Sequence, residues 1–200
     1  MSRLIVVRHG ETQWNVERRI QGSSDIPLND TGLAQVAAAG AVLAGEVHGP
    51  VTVVASPLQR AFETARPLGA ALGVEVQTDD RLVERSYGVW EGLTPDQRRA
   101  AHPAQHEAWS RGHEPALEGY ETHDQVATRV RAAADEWLTR AEGDLIFVTH
   151  GSSGRMLILS LLGLPQDSPL VGYLGNATWS VLAPHQRGWS LIEHNARARG

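Results

Sequence analysis

Two apolar runs of this 200-residue chain end abruptly on histidine followed by glycine. The residues at these ends are Arg8, His9 and Gly10 after LIVV, and His150 and Gly151 after LIFVT. One imidazole can attack phosphorus as a nucleophile, and a second can donate a hydrogen bond to the same group. The guanidinium of Arg8 has the planar shape that matches phosphate oxygens. These residue types suit phosphoryl transfer, although a strand that simply reaches the surface could end in the same way.

Two more apolar runs end on residues of matching chemistry. Ser56 follows VTVVA, with Arg60 one turn later, and Glu84 follows RLV. Arg60 adds a second guanidinium, and Glu84 can supply the proton that a departing alkoxide needs. Each also has a plainer interpretation, Arg60 as a solvated helix residue and Glu84 as the ion-pair partner of a neighbouring arginine. Four such ends in one chain favour a shared site.

The elements that must position these residues alternate between strands and helices. Apolar, β-branched runs predict strands at 4–7, 51–55, 74–76 and 145–148, and a final hairpin at 178–183 and 189–194. Helical spacing predicts helices at 33–43, 58–72, 126–141 and 156–162, with a kink or an early end near Pro67. This α/β pattern predicts a three-layer α/β/α sandwich with a mostly parallel central sheet and an antiparallel edge. Ligands of such sheets bind beyond the carboxyl ends of the strands, where the polar residues converge.

The chain is predicted to be a single domain over residues 1–200, with residues 88–120 as a candidate lid. Trp90, Trp109 and Tyr120 lie in this segment and could pack in a core or contact the organic part of a substrate. Arg98 and Arg99 are expected on an exposed helix face. Hydroxyl residues followed three positions later by Gln predict capping boxes at Ser56, Thr94 and Thr122.

Composition excludes several other chemistries. The chain has no cysteine, which excludes disulfides, thiolate metal sites and cysteine nucleophiles. All 18 basic residues are arginine, so a Walker-type phosphate loop and a lysine Schiff base are excluded. The net charge of −5 gives no general attraction to nucleic acid. No apolar run is long enough for a signal peptide or a membrane span, so a cytoplasmic protein without a membrane partner is expected.

Five segments together resemble the motifs of the histidine phosphatase superfamily, the phosphoglycerate mutase-like enzymes. They are RHGET with Asn15, QGSSDIPLNDTGLAQ (21–35), ASPLQRAFETA (55–65), LVERSYGVWEG (82–92) and VTHGSSGR (148–155). They span nearly the whole chain and stand in the order that the family has. The resemblance implies the family's fold and a phosphatase that hydrolyses small phosphorylated metabolites.

The same resemblance implies a role for each matching residue. His9 would become a phosphohistidine, and Glu84 would protonate the leaving alcohol and then activate water. Arg8, Arg60 and His150 would surround the phosphoryl oxygens as catalytic residues. The remaining substrate-binding residues would be Asn15, Gln21, Gly22 and Gly151. The scheme uses no metal and no cofactor, its partner is a small phosphomonoester, and the oligomeric state stays open with a homodimer as the candidate.

Three alternatives stay open at this point. A phosphoglycerate mutase of the same family would carry a longer basic insertion between Glu84 and His150 than this chain has. Ser152 and Ser153 stand where many members have glycine, and could contact substrate, cap a helix or act as the nucleophile of a serine hydrolase, although Arg155 breaks the spacing that such a nucleophile needs. A non-catalytic phosphate-binding adaptor would have lost a catalytic residue, and none is missing.

Overall fold

Six strands form one sheet at the centre of the molecule. They are β1 (Leu4–Arg8), β2 (Val51–Ala55), β3 (Val76–Thr78), β4 (Asp144–Thr149), β5 (Trp179–His185) and β6 (Gly188–Ala196). Their order across the sheet is β3-β2-β4-β1-β5-β6. The first four strands are parallel, whereas β5 is antiparallel to β1 and β6 is antiparallel to β5. The computed structural model describes residues 2–198, and there the predicted sheet with its antiparallel edge is confirmed.

Helices connect the strands and cover both faces of the sheet. They are α1 (Gln13–Val16), α2 (Asp30–Glu46), α3 (Gln59–Leu72), α4 (Pro95–Ala101), α5 (Pro103–Ser110), α6 (His123–Arg140) and α7 (Gly151–Leu161). Alternate residues of a strand point to opposite faces, so Leu4 and Val6 pack with α6 and α7 while Ile5 and Val7 pack with α2 and α3. The predicted three-layer sandwich is therefore confirmed. Within residues 2–198, no helix combines the length and the apolar character that crossing a membrane requires.

The predicted cap at Ser56 is wrong, and so is one of the two outcomes predicted at Pro67, an early end of the helix. Ser56 does not cap α3, whose N-cap is Leu58 without a side-chain cap bond, because the Ser56 hydroxyl lies 2.9 Å from the His150 ring instead. Pro67 does not end α3 early, since the helix continues to Leu72 before Gly73 adopts the left-handed conformation. The capping boxes at Thr94 and Thr122 are present as predicted.

Residues 88–120 leave the sheet between β3 and β4 and carry α4 and α5. A bridge between Tyr87 and Tyr120 closes the base of this excursion. Its interior is aromatic, because Trp90 is fully buried and lies edge-on to Trp109 with ring centroids 6.0 Å apart. The expectation that Arg98 is exposed is wrong. Its guanidinium carbon lies 4.8 Å from the ring centroid of Trp109, and the side chain is buried in the same cluster.

Candidate active site

His9 and His150 follow the ends of neighbouring parallel strands. Arg8, the last residue of β1, is paired with Thr149, the last residue of β4. The two histidines that come next are both buried, with ring centroids 5.2 Å apart and ring planes at 59°. The rings are therefore close enough to contact one phosphoryl group, as the strand-end argument predicted.

The ring of His9 is held by the peptide that follows it. Its Nδ1 lies 2.7 Å from the carbonyl oxygen of Gly10. Because a carbonyl oxygen only accepts, Nδ1 carries the hydrogen and Nε2 of the neutral ring keeps a free lone pair. Burial, reinforced by the charges of Arg8 and Arg60, lowers the pKa of His9 well below its usual value. At neutral pH His9 is thus the uncharged imidazole that can act as a nucleophile.

Arg60 lies in the first turn of α3, fully buried beside His150. Its Nε donates to Nδ1 of His150 at 3.2 Å, and its terminal nitrogens donate to the carbonyls of Ser24 (2.7 Å) and Gly22 (2.8 Å). Since Nδ1 of His150 accepts, the ring hydrogen sits on Nε2 and points to Ser56. Burial lowers the pKa of Arg60 to about 10, so the guanidinium stays charged at neutral pH. Burial and this neighbouring charge lower the pKa of His150 well below its usual value.

Arg8 brings a second guanidinium to the same rim. Its Nη1 donates to the carbonyl of Leu174 at 2.6 Å, while its Nε is buried without a partner in residues 2–198. A β-carbon on Gly151 would lie 3.5 Å from the guanidinium carbon, so Arg8 lies against the first residue of α7. Burial lowers the pKa of Arg8, and the nearby carboxylate of Glu84 opposes that shift. A buried N–H without an acceptor is costly, and a phosphate oxygen would satisfy it.

The carboxylate of Glu84 faces the N-terminus of α7. Its Oε1 accepts from the N–H groups of Arg85 (2.8 Å) and Ser153 (3.0 Å), and its Oε2 accepts from the N–H of Ser152 (3.1 Å). The Ser153 hydroxyl lies 2.6 Å from the carbonyl of Val83 and 3.2 Å from Oε1. Oε1 is thus crowded with donors, while Oε2 has room for a proton. Ser152 and Ser153 hold Glu84, and neither has a histidine as a hydrogen-bond partner among the described residues, so these two serines lack the base that a serine nucleophile requires.

The loop at residues 21–24 is held from two sides. Arg60 binds its carbonyls, and the carboxylate of Glu91 accepts from the N–H groups of Ser23 (3.0 Å) and Ser24 (3.1 Å) and from both hydroxyls. Gly22 has a φ of +53°. Gln21 is buried, and its Oε1 has no partner in the part of the chain that is described.

Asn15 lies on the other side of His9. Its Oδ1 accepts from the N–H and the hydroxyl of Thr12 and from the side-chain amide of Asn176, each at 3.1 Å. The donors occupy its oxygen, so its amide nitrogen remains available to a substrate. The structure therefore groups the predicted catalytic residues at one rim, with Asn15 and the 21–24 loop tied to it through Asn176 and Arg60.

Glu91, Asn176 and the partnership of Ser56 with His150 are not predicted from the sequence. Glu91 stands inside the motif LVERSYGVWEG and Asn176 in the turn before β5, but neither residue type carries a signal for such a contact. Their partners are distant in sequence, so only the assembled fold shows their place.

Comparisons with known proteins show which family the chain belongs to. The chain matches the histidine phosphatase superfamily (branch 1) over residues 4–197. A glucosyl-3-phosphoglycerate phosphatase of Mycolicibacterium vanbaalenii is 38% identical over 98% of this chain and 96% of that protein. A probable phosphoglycerate mutase of Enterobacter is 37% identical over 94% of this chain and 88% of its own length. The solved structure of a mycobacterial glucosyl-3-phosphoglycerate phosphatase with inorganic phosphate superposes with a TM-score of 0.86 at 34% identity, covering 99% of both chains. The chain belongs to branch 1 of the histidine phosphatase superfamily, as its motifs predicted.

Proposed function

We propose that the protein hydrolyses phosphomonoesters through a phosphohistidine on Nε2 of His9. The observation that carries the proposal is the hydrogen bond from Nδ1 of His9 to Gly10, because it leaves Nε2 with a free lone pair. The buried, unpaired Nε of Arg8 supports an anionic substrate at the same rim.

In the first half-reaction, the lone pair of His9 Nε2 forms a bond to phosphorus while the bond from phosphorus to the ester oxygen breaks. The guanidinium groups of Arg8 and Arg60 stabilise the charge on the other oxygens, and the Nε2–H of His150, which points to Ser56 in the free protein, exchanges that partner for a phosphoryl oxygen as a third donor. Glu84 gives a proton from Oε2 to the leaving oxygen, which departs as an alcohol. The amide nitrogen of Asn15 and the 21–24 loop orient the phosphate.

In the second half-reaction, water attacks the phosphohistidine and Glu84, now a carboxylate, accepts its proton. The bond between phosphorus and Nε2 breaks, and its electron pair returns to His9. Inorganic phosphate leaves, and both residues are restored to their starting forms. The guanidinium groups of Arg8 and Arg60 balance the negative charge of the phosphoryl oxygens in both half-reactions.

The proposed substrate is a phosphorylated glycerate that carries a sugar. The support is the likeness over nearly the whole chain to phosphatases named for glucosyl-3-phosphoglycerate. Phosphate release should be measured with glucosyl-3-phosphoglycerate, 3-phosphoglycerate and p-nitrophenyl phosphate. A kcat/KM for the glucosylated ester no higher than for the other two would reject this substrate class while leaving the phosphatase chemistry standing.

Trapping the intermediate tests the role of His9. Wild-type protein quenched during turnover of a ³²P-labelled ester should carry label that is stable in alkali and labile in acid, as a phosphohistidine is. His9→Ala should carry none and should not turn over, while His150→Ala should keep the nucleophile and accumulate label more slowly. Label of the same kind on His9→Ala would overturn the assignment.

A mutase remains the second candidate, because the Enterobacter relative bears that name. A mutase keeps water from the phosphohistidine, so it would convert 3-phosphoglycerate to its 2-phospho isomer without releasing phosphate. ³¹P NMR of the reaction separates the two products.

Two further statements stay predictions: the protein forms a homodimer, and it acts in the cytoplasm. Sedimentation equilibrium checks the first of them.

A further inference from the structure

We propose that Asn176 is a positioning residue that holds His9 in the tautomer with a free Nε2. Its side-chain nitrogen lies 3.1 Å from the carbonyl oxygen of Gly10 and 3.2 Å from that of His9. The Gly10 carbonyl is the same oxygen that accepts from Nδ1 of His9. The proposal rests on the nucleophilic role of His9 given above.

The Gly10 peptide needs such support because a glycine backbone is conformationally free. Its N–H donates to the hydroxyl of Thr64 at 3.1 Å, and its carbonyl accepts from Asn176. Gly10 is thereby held at both its N–H and its carbonyl, and the carbonyl oxygen lies 2.7 Å from Nδ1 of His9. Without Asn176 the carbonyl would lose one of the two donors that define its direction, and the tautomer of His9 would be less strongly set.

The turn at residues 175–178 is built to bring Asn176 to this point. The N–H of Arg8 donates to the carbonyl of Thr178 at 2.9 Å, and the N–H of Ala177 donates to that of His9 at 3.1 Å. Ala177 has a φ of +51°, in the left-handed region that a residue with a β-carbon rarely adopts. Strained backbone of this kind persists only where surrounding contacts impose it, and it clusters at functional sites. Here it occurs at Ala177, which with Thr178 docks the turn onto Arg8 and His9.

The same side-chain amide also orients a predicted phosphate ligand. Asn176 donates to Oδ1 of Asn15 at 3.1 Å, and Thr12 donates to that oxygen as well. One side chain therefore fixes both the nucleophile and the Asn15 amide that faces the substrate. Loss of Asn176 should then reduce the rate of phosphoryl transfer more than it weakens substrate binding.

A matched pair of substitutions separates positioning from support of the turn. Asn195 holds the same turn through its oxygen, which accepts from the N–H of Gly175 and the hydroxyl of Thr178. Asn195→Asp keeps that acceptor, whereas Asn176→Asp replaces the donating nitrogen with an oxygen that repels the two carbonyls. We expect Asn176→Asp to lower kcat on p-nitrophenyl phosphate by about 10- to 100-fold with a smaller change in KM, and Asn195→Asp to stay within about twofold of wild type. Equal losses in the two variants would overturn the proposal.

A direct readout is the ¹⁵N NMR spectrum of the His9 ring in the free protein. Wild type and Asn195→Asp should show hydrogen on Nδ1, and Asn176→Asp should show increased population of the Nε2–H form. Asn176→Ala removes the amide without adding charge, and it should also increase the population of the Nε2–H form. It replaces the aspartate variant as the test if that variant does not fold. An unchanged tautomer in a folded Asn176 variant would overturn the proposal. The spectrum does not depend on turnover, so it is separable from the trapping experiment, whose failure would reject the nucleophilic role itself.

Discussion

The carboxylate of Glu91 lies directly against the α-carbon of Gly22, and a β-carbon there would sit 2.1 Å from its Oε1. Arg60 binds the carbonyl of Gly22 at 2.8 Å. The loop that borders the proposed phosphate site is thus held between a guanidinium on α3 and a carboxylate on the 88–120 excursion. Because Glu91 also accepts from the N–H of Tyr87 at 3.1 Å, the loop and the segment that carries Glu84 are tied to one side chain.

Gly22→Ala should destabilise the fold and impair activity. The substitution forces a β-carbon into a position with φ of +53° and into contact with Glu91. The left-handed conformation alone costs a residue with a β-carbon about 1–2 kcal/mol. Urea unfolding should show at least this loss, together with a lower kcat/KM. Gly45→Ala is the matched control, since nothing lies within 4 Å of its would-be β-carbon in α2 and a gain of roughly 0.5–1 kcal/mol is expected.

Glu91→Gln should weaken phosphate binding. The amide nitrogen would face N–H donors of Ser23, Ser24 or Tyr87, leaving a half-buried or exposed donor without its acceptor at a cost of about 1 kcal/mol. Inhibition by inorganic phosphate and amide exchange at Ser23 and Ser24 measure the effect. Glu17→Gln, at an exposed ion pair with Arg19, is the control and should change neither. If Glu91→Gln is inhibited by phosphate as strongly as wild type and its amides at Ser23 and Ser24 exchange as slowly, the loop needs no carboxylate.

Glu84→Gln should slow esters with poor leaving groups far more than p-nitrophenyl phosphate. An alkoxide needs a proton as it departs, whereas nitrophenolate leaves readily without one. General acid catalysis contributes on the order of 10²- to 10⁴-fold, so a loss of that size is expected for an alkyl phosphate only. Steady-state kcat values on a series of leaving groups supply the comparison. Equal losses across the series would argue against a proton donor at this position.

The free energy of unfolding should decrease as the pH is lowered below the usual pKa of histidine. Burial lowers the pKa of both His9 and His150, and also that of His123. Below about pH 6.5 the unfolded chain binds protons that the folded state does not, so each histidine contributes a slope of up to about 1.4 kcal/mol per pH unit. Above that pH range these histidines are neutral in both states, and their full contribution to the free energy of unfolding is present. Urea unfolding at several pH values should show the slope, and His150→Gln should reduce it; a free energy that stays flat on mild acidification would contradict the buried, neutral state.

Replacement of Arg98 should lower the free energy of unfolding much more than replacement of its neighbour Arg99. Arg98 packs its guanidinium against Trp90 and Trp109, whereas the Arg99 side chain is 65% exposed. Arg98→Ala should lower the free energy of unfolding by about 1–3 kcal/mol through lost cation–π contact and packing. Arg99→Ala should change it by less than about 0.5 kcal/mol. Similar effects of the two substitutions would contradict the burial of Arg98.

The main strands and the convergence of the catalytic residues could be predicted because both follow from short-range patterns. Unbroken apolar runs indicate parallel strands, and parallel strands place their carboxyl ends at one edge, so His9 and His150 had to be neighbours once β1 and β4 paired. The environment of Arg98 could not be predicted in this way. Its burial depends on indole rings from other parts of the excursion, and the sequence of α4 contains no sign of them.

The partners of the site were harder to predict for a related reason. Ser56 has the spacing of a helix cap, and Asn176 has the appearance of an ordinary turn residue. What changes their role is a hydrogen bond to a residue more than ninety positions away. Local spacing carries no information on such bonds, which depend on how the sheet brings separate loops together.

The position of β5 beside β1 has a consequence for synthesis on the ribosome. Arg8 and His9 are made well before the groups that anchor them, which are the carbonyls of Leu174 and Thr178 for Arg8 and the N–H of Ala177 for the carbonyl of His9. A nascent chain that has not yet released β5 can pair its parallel strands while Arg8 and His9 still lack these contacts. The proposed nucleophile therefore gains its support only after the turn at residues 175–178 has left the ribosome.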